Sequence, residues 1–78
     1  MAAAYVLMNV DAGKVGRALS AVKAVKGVKT AHAVAGPYDI ILFVEAENLE
    51  KLGQRVLLEL QIVSGIRSTV TAVVFQSP

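Results

Sequence analysis

Apolar positions recur along this chain with two periods, and the places where the period changes mark the elements. Tyr5–Val10 is apolar and β-prone, with Asn9 its only polar residue, which predicts a first strand. Asp11-Ala12-Gly13 then reads as a turn, with Asp11 placed to cap a helix beginning just after it. Val15, Ala18, Leu19, Val22 and Val25 fall on one face of that helix, which runs from Lys14 to Lys26. Lys14, Arg17, Ser20 and Lys23 fall on the other face, and Gly27 stops the helix. Val28–Ala35 alternates loosely as a second strand, with Val28, Thr30, His32 and Val34 on one side and Lys29, Ala31, Ala33 and Ala35 on the other. Gly36-Pro37 breaks it, because proline cannot donate to a ladder and glycine tolerates unusual φ. Tyr38–Ala46 comes next as a third strand, forming an antiparallel hairpin with the second.

The second half repeats this plan. Asn48 is a suitable cap, and Leu49, Leu52, Val56, Leu57, Leu60 and Val63 form a wide apolar stripe. Lys51, Gln54, Arg55 and Glu59 face outward. Gly53 costs roughly 1 kcal/mol in a helix interior relative to alanine, an expense that a close backbone contact would explain. Ser64-Gly65 ends the helix, and Ile66–Gln76 is a fourth strand rich in β-branched residues, ending in a Ser77-Pro78 tail. Setting Gly27 against Gly65 also superposes Leu19 on Leu57, Val22 on Leu60, Val25 on Val63, Val28 on Ile66 and Lys29 on Arg67. Two βαβ halves joined at the Gly36 turn make the α+β, ferredoxin-like βαββαβ arrangement, a four-stranded antiparallel sheet with two helices on one face.

That arrangement leaves one sheet face without helices. The third strand is apolar on both parities (Ile40, Leu42 and Val44, then Ile41 and Phe43), and the first is nearly so. A strand with one wet face should alternate, so the helix-free face is expected to pack on a second copy as a two-fold dimer. Composition points the same way. The chain has 78 residues, 55% apolar and only 18% charged, more apolar surface than one small domain hides.

The absence of cysteine excludes a disulfide framework, a thiolate metal site and a cysteine nucleophile. Met1–Ala4 does not read as a secretory signal, and no stretch of about 18 uncharged apolar residues offers a membrane span, so a cytoplasmic location is expected. The net charge of +2 comes from basic residues scattered singly, without the stripe and aromatic partners that nucleic acid would want. Lys23, Lys26 and Lys29 read as a solvated side of the first helix end and second strand. His32 lacks partners at metal-ligand spacing and reads as a strand residue. Ser64, Ser68, Thr69 and Thr71 are nucleophile candidates by type, but none sits in a strained elbow or beside a base. No glycine-rich phosphate loop, metal or cofactor is called for. The Gly36 turn does offer binding groups: exposed backbone, the amphipathic ring of Tyr38, and an Asp39 charge suited to an ammonium group.

Gly36-Pro37-Tyr38-Asp39 before an apolar strand, and Gly65-Ile66-Arg67-Ser68-Thr69-Val70-Thr71 before an aliphatic run, resemble the G-x-Y-D and G-V/I-x-x-T-x-T patterns of the effector-binding domain of the Lrp/AsnC transcription regulators. The resemblance covers essentially the whole chain. It implies dimers formed through the sheets, further assembly of dimers, and a small effector, an amino acid, bound between dimers. Carried over by position, the effector contacts are Gly36, Tyr38, Asp39, Thr69 and Thr71. Ala35 and Pro37 stand where the family frequently has a threonine and a polar residue, which removes hydrogen-bonding groups from the turn. The family's DNA-binding helices would precede the first strand, where only four residues stand. The expectation is therefore one domain over residues 1–78, a stand-alone module without direct nucleic-acid contact that co-assembles with full-length regulators. An enzyme of the dimeric ferredoxin-like isomerase or monooxygenase type would instead need a pocket with a working base, for which only His32 and Asp39 are available. A regulatory domain of the ACT type, or a purely structural oligomerisation module, completes the alternatives.

Overall fold

Every second residue of the first strand (Ala4, Val6, Met8, Val10) and of the third (Ile40, Leu42, Val44) is buried, and these side chains form a single core with Ala18 and Val22 of the first helix and Leu52, Val56 and Leu60 of the second. One strand parity packed against both helices means that both helices lie on the same sheet face. The computed structural model describes residues 1–75. The elements are β1 (Ala2–Val10), α1 (Val15–Lys23), β2 (Val28–Ala33), β3 (Ile40–Ala46), α2 (Leu49–Lys51), a π-helical segment (Leu52–Leu57), α3 (Leu58–Gln61) and β4 (Ile66–Val73). The sheet order is β2-β3-β1-β4, antiparallel throughout. This is the ferredoxin-like βαββαβ fold.

The boundaries shift for identifiable reasons. β1 begins at Ala2 rather than Tyr5 because the three alanines pair with Ala46, Glu45 and Val44 of β3; neighbours in the sheet override alanine's weak strand preference. β2 stops at Ala33 and β3 starts at Ile40, so the hairpin loop is wider than the pattern suggests. Gln76, placed in the fourth strand by its pattern, and the Ser77-Pro78 tail lie outside the described residues. Asp11 does not cap α1 with its side chain; its carbonyl oxygen instead accepts from the Lys14 N–H at 3.1 Å. Asn48 does cap α2, accepting from the Lys51 N–H at 2.8 Å. Leu49 belongs to the expected apolar stripe but is exposed.

β2 also corrects the expected faces. A bulge makes Val28 pair with Val44 and Thr30 with Phe43, leaving Lys29 as the extra residue. Val28 therefore shares the helix side with Ala31 and Ala33, while Thr30 and His32 take the other side. β4 carries the matching bulge. Asn9 pairs with Ser68 and Val10 with Ile66, so Arg67 is extra. The internal repeat thus extends to the irregularities. Gly27 and Gly65 both have positive φ (+102° and +90°), and the carbonyl oxygen of each accepts from a residue at the end of a central strand, from the Glu45 N–H at 2.8 Å and the Asp11 N–H at 2.9 Å.

On the face without helices, Tyr5 and Phe43 stack at a ring-centroid distance of 5.0 Å, and Leu7, Ile41 and Val70 lie on the same side by register. Tyr5 is 49% and Val70 48% exposed. These side chains have no second layer in the single chain.

Candidate functional site

The Gly36 turn is held from three directions. The Val34 N–H donates to the Asp39 carbonyl oxygen at 2.9 Å, which closes the loop at its base. The Asp39 N–H donates to the Met8 carbonyl oxygen at 2.9 Å, tying the loop to the neighbouring strand. The Val10 N–H donates to Asp39 Oδ2 at 2.8 Å, beside the β1–β4 bulge. β3 pairing with β1 stops at Met8–Ile40, two residues short of Val10, and the carboxylate supplies the Val10 N–H with an acceptor there. Asp39 is therefore an anchor as well as a charge at the surface. Its second carboxylate oxygen has no hydrogen-bond partner among the described residues.

Above this anchor the turn is open. Ala35, Gly36 and Pro37 are exposed and Tyr38 is half-buried. Gly36 has φ +151°, and a Cβ there would meet nothing within 4 Å. The glycine is thus required by backbone conformation and not by crowding.

Thr69 and Thr71 lie on β4, separated from the turn by β1. Thr69 pairs with Met8, which pairs in turn with Ile40, so Thr69 stands two strand spacings, roughly 10 Å, from the start of β3. Its Oγ1 accepts a long hydrogen bond (3.4 Å) from Gln61 Nε2. Thr71 is one pleat further away, opposite Val6, and exposed. Gly36, Tyr38 and Asp39 thus form one rim, and Thr69 and Thr71 a separate one at the β4 edge. No hydrogen bond joins the two among the described residues. His32 is exposed on β2 opposite Ile41 and does not join either rim.

A feature that the residue pattern alone did not mark lies at the other end of the sheet. A cleft of about 630 Å³ opens between the α1–β2 joint, the end of β3 and the π-helical segment, with Lys26, Lys29, Arg55, Glu45 and Glu59 in its walls. Its available signal was the column Lys51, Arg55, Glu59, spaced by four on the second helix.

The split-βαβ sheet thus carries an anchored, open turn at its β2–β3 hairpin. Residues 3–78 match the family model described as Lrp/AsnC ligand binding domain. A 51-residue stretch, 65% of this chain, is 43% identical to an HTH-type transcriptional regulator of Pyrococcus furiosus, of which it spans about a third (34%). Among solved structures, FFRP-DM1 superposes with a TM-score of 0.89 at 32% identity, covering 96% of this chain and all of that one. Escherichia coli AsnC shares the fold, with a TM-score of 0.89 at 23% identity, and this chain covers 52% of it. The chain belongs to the Lrp/AsnC ligand-binding domain family of transcription regulators.

Proposed function

We propose that this chain is an effector-sensing and self-associating module, which binds an amino acid at the Gly36 turn once two dimers close over it. The observation that carries the reading is the turn itself. It is fixed by Asp39 to the end of β1, yet it presents the Gly36 backbone, the Tyr38 hydroxyl and one carboxylate oxygen to the outside. A rigid half-site of this kind needs a second surface to enclose a ligand, and assembly of copies supplies one. The free oxygen of Asp39 suits the effector's ammonium group, and the exposed backbone of the loop suits its carboxylate. Thr69 and Thr71 contact an effector only across a junction between dimers. Pro37 and Ala35 supply no side-chain hydrogen bonds, so recognition rests on backbone and Tyr38.

In this reading the module is non-enzymatic, acts in the cytoplasm, and changes its own assembly or that of full-length regulators. Thermal-shift screening of the proteinogenic amino acids, followed by calorimetry, tests it. At least one should raise the melting temperature of the native chain, and Tyr38→Ala should abolish the shift. Inertness towards every amino acid removes the reading.

A further inference from the structure

We infer that the cleft at the end of the sheet opposite the Gly36 turn is a ligand site for a small anion, a carboxylate or phosphate that also carries a hydrogen-bond donor. The inference does not rest on the effector reading of the turn. At about 630 Å³ the cleft is within the size range of small-molecule sites. It lies on one chain and needs no partner to form.

Two features of the fold build it. At the α1–β2 joint, Gly27 lies so close to its neighbours that a Cβ there would stand 2.6 Å from Val56 Cγ2 and 3.0 Å from the Glu45 carbonyl oxygen. This close approach sets Lys26 and Lys29, on either side of Gly27, in the cleft that Arg55 also lines, and Lys29 is the unpaired residue of the β2 bulge. The second feature is the π-helical segment. In a regular α-helix a step of four residues overshoots a turn by about 40°; the wider i→i+5 turn takes up that excess. Leu52, Val56 and Leu60 therefore stay aligned on the sheet. For the same reason Lys51, Arg55 and Glu59, one position before each, stay aligned over the cleft. The matching joint in the other half of the repeat differs, since Gly65 lies against the aliphatic chain of Lys14.

The charges specify the ligand. Lys51 pairs with Glu47 at 2.6 Å. Among the described residues Lys26, Lys29 and Arg55 have no carboxylate within ion-pair distance, and neither do Glu45 and Glu59 have a cation. Three unpaired cationic side chains against two unpaired carboxylates leave one positive side-chain charge in excess in a concave wall that Met1 also lines, and there the field is focused. Arg55 offers a fork to a carboxylate or phosphate, and the lysines add point charges. Glu45 and Glu59 accept from a hydroxyl or ammonium on the same ligand. They also repel an extended polyanion, which separates this site from a nucleic-acid surface.

Chemical-shift titration of the ¹⁵N-labelled chain with inorganic phosphate, and separately with malate, at constant ionic strength set by chloride, tests the site. One or both anions should give saturable shifts centred on the Gly27, Lys29 and Arg55 amides. Arg55→Gln and Lys29→Gln, both at solvent-accessible positions, should each weaken binding about tenfold. Arg67→Gln, the repeat counterpart of Lys29, should leave it unchanged. Saturation with phosphate alone or malate alone identifies the anion class. Shifts that grow linearly with either anion, that fall equally on Arg67 and Lys23, or that survive Arg55→Gln overturn the proposal.

Discussion

Asp39 anchors the turn, and substitution can separate that role from the effector contact proposed for it. Its Oδ2 satisfies the Val10 N–H just beyond the end of the β1–β3 ladder, so Asp39→Ala leaves that donor without its partner and should cost about 1–3 kcal/mol in urea unfolding. Asp39→Asn retains an oxygen acceptor and should keep most of that stability while losing the charge. If the carboxylate also recognises an effector's ammonium group, the asparagine variant should lose the effector-induced thermal shift and still unfold near the native midpoint. The glycines of the repeat make a second comparison. Gly65→Ala meets only the flexible Lys14 chain at 3.3 Å and carries the strain of positive φ, about 1–3 kcal/mol. Gly27→Ala carries the same strain and also collides with Val56, so it should be the more damaging by about 1 kcal/mol or more. Gly53 behaves in the opposite sense. It has neither positive φ nor any neighbour within 4 Å of a Cβ, so close contact does not explain it. Gly53→Ala should stabilise the chain by roughly 0.5–1 kcal/mol in the same measurement.

Among the elements, those with a clear period were legible and those that depart from regular geometry were not. Steps of three and four in Val15–Val25 identified the buried side of α1, and apolar residues on both parities of β3 identified a strand with two faces to cover. The order βαββαβ followed from the Gly27–Gly65 repeat. The bulges were not readable, because a bulge changes which residue faces the core without changing composition. Lys29 and Arg67 look like ordinary alternating positions until pairing across the sheet assigns them none. The π-helical segment escaped for a related reason. A column spaced by four fits a broad α-helical stripe almost as well, and only the packing of Leu52, Val56 and Leu60 onto one sheet separates the two. The candidate turn was visible in Gly36-Pro37-Tyr38-Asp39, whereas the anchoring of Asp39 to β1 was not, since it joins residues 29 apart in the chain. The cleft depends on three segments meeting and left only the Lys51-Arg55-Glu59 spacing as a trace.

For the whole molecule, the face without helices is the decisive surface. The overall dimensions of 35 × 24 × 17 Å are those of one sheet layer under one helix layer. The broad face is therefore comparable to the roughly 800 Å² per partner that a stable interface buries. With Tyr5, Leu7, Ile41, Phe43 and Val70 on it, a two-fold packing of sheet on sheet is the expected form in solution. Phe43→Asp would place a charge at the centre of that contact. Light scattering after size exclusion should show the native chain as a dimer or larger and the variant as a monomer; a native monomer at micromolar concentration contradicts the packing.

The repeat carries a consequence for connectivity. The Val74 N–H donates to the Ala3 carbonyl oxygen at 2.8 Å, so the beginning of β1 and the end of β4 lie side by side. The two halves have the same order of elements. A circular permutant that joins the termini through a short linker and is opened between Gly36 and Pro37 would read β3-helix-β4-β1-helix-β2, which is again βαββαβ. It would keep the Asp39 anchor, both bulges and the Lys29–Arg55 cleft while converting the Gly36 turn into a pair of chain ends. Such a chain separates the turn from the cleft physically: it should retain the native circular dichroism and the anion titration expected of the cleft while losing any response that depends on an intact Gly36 loop.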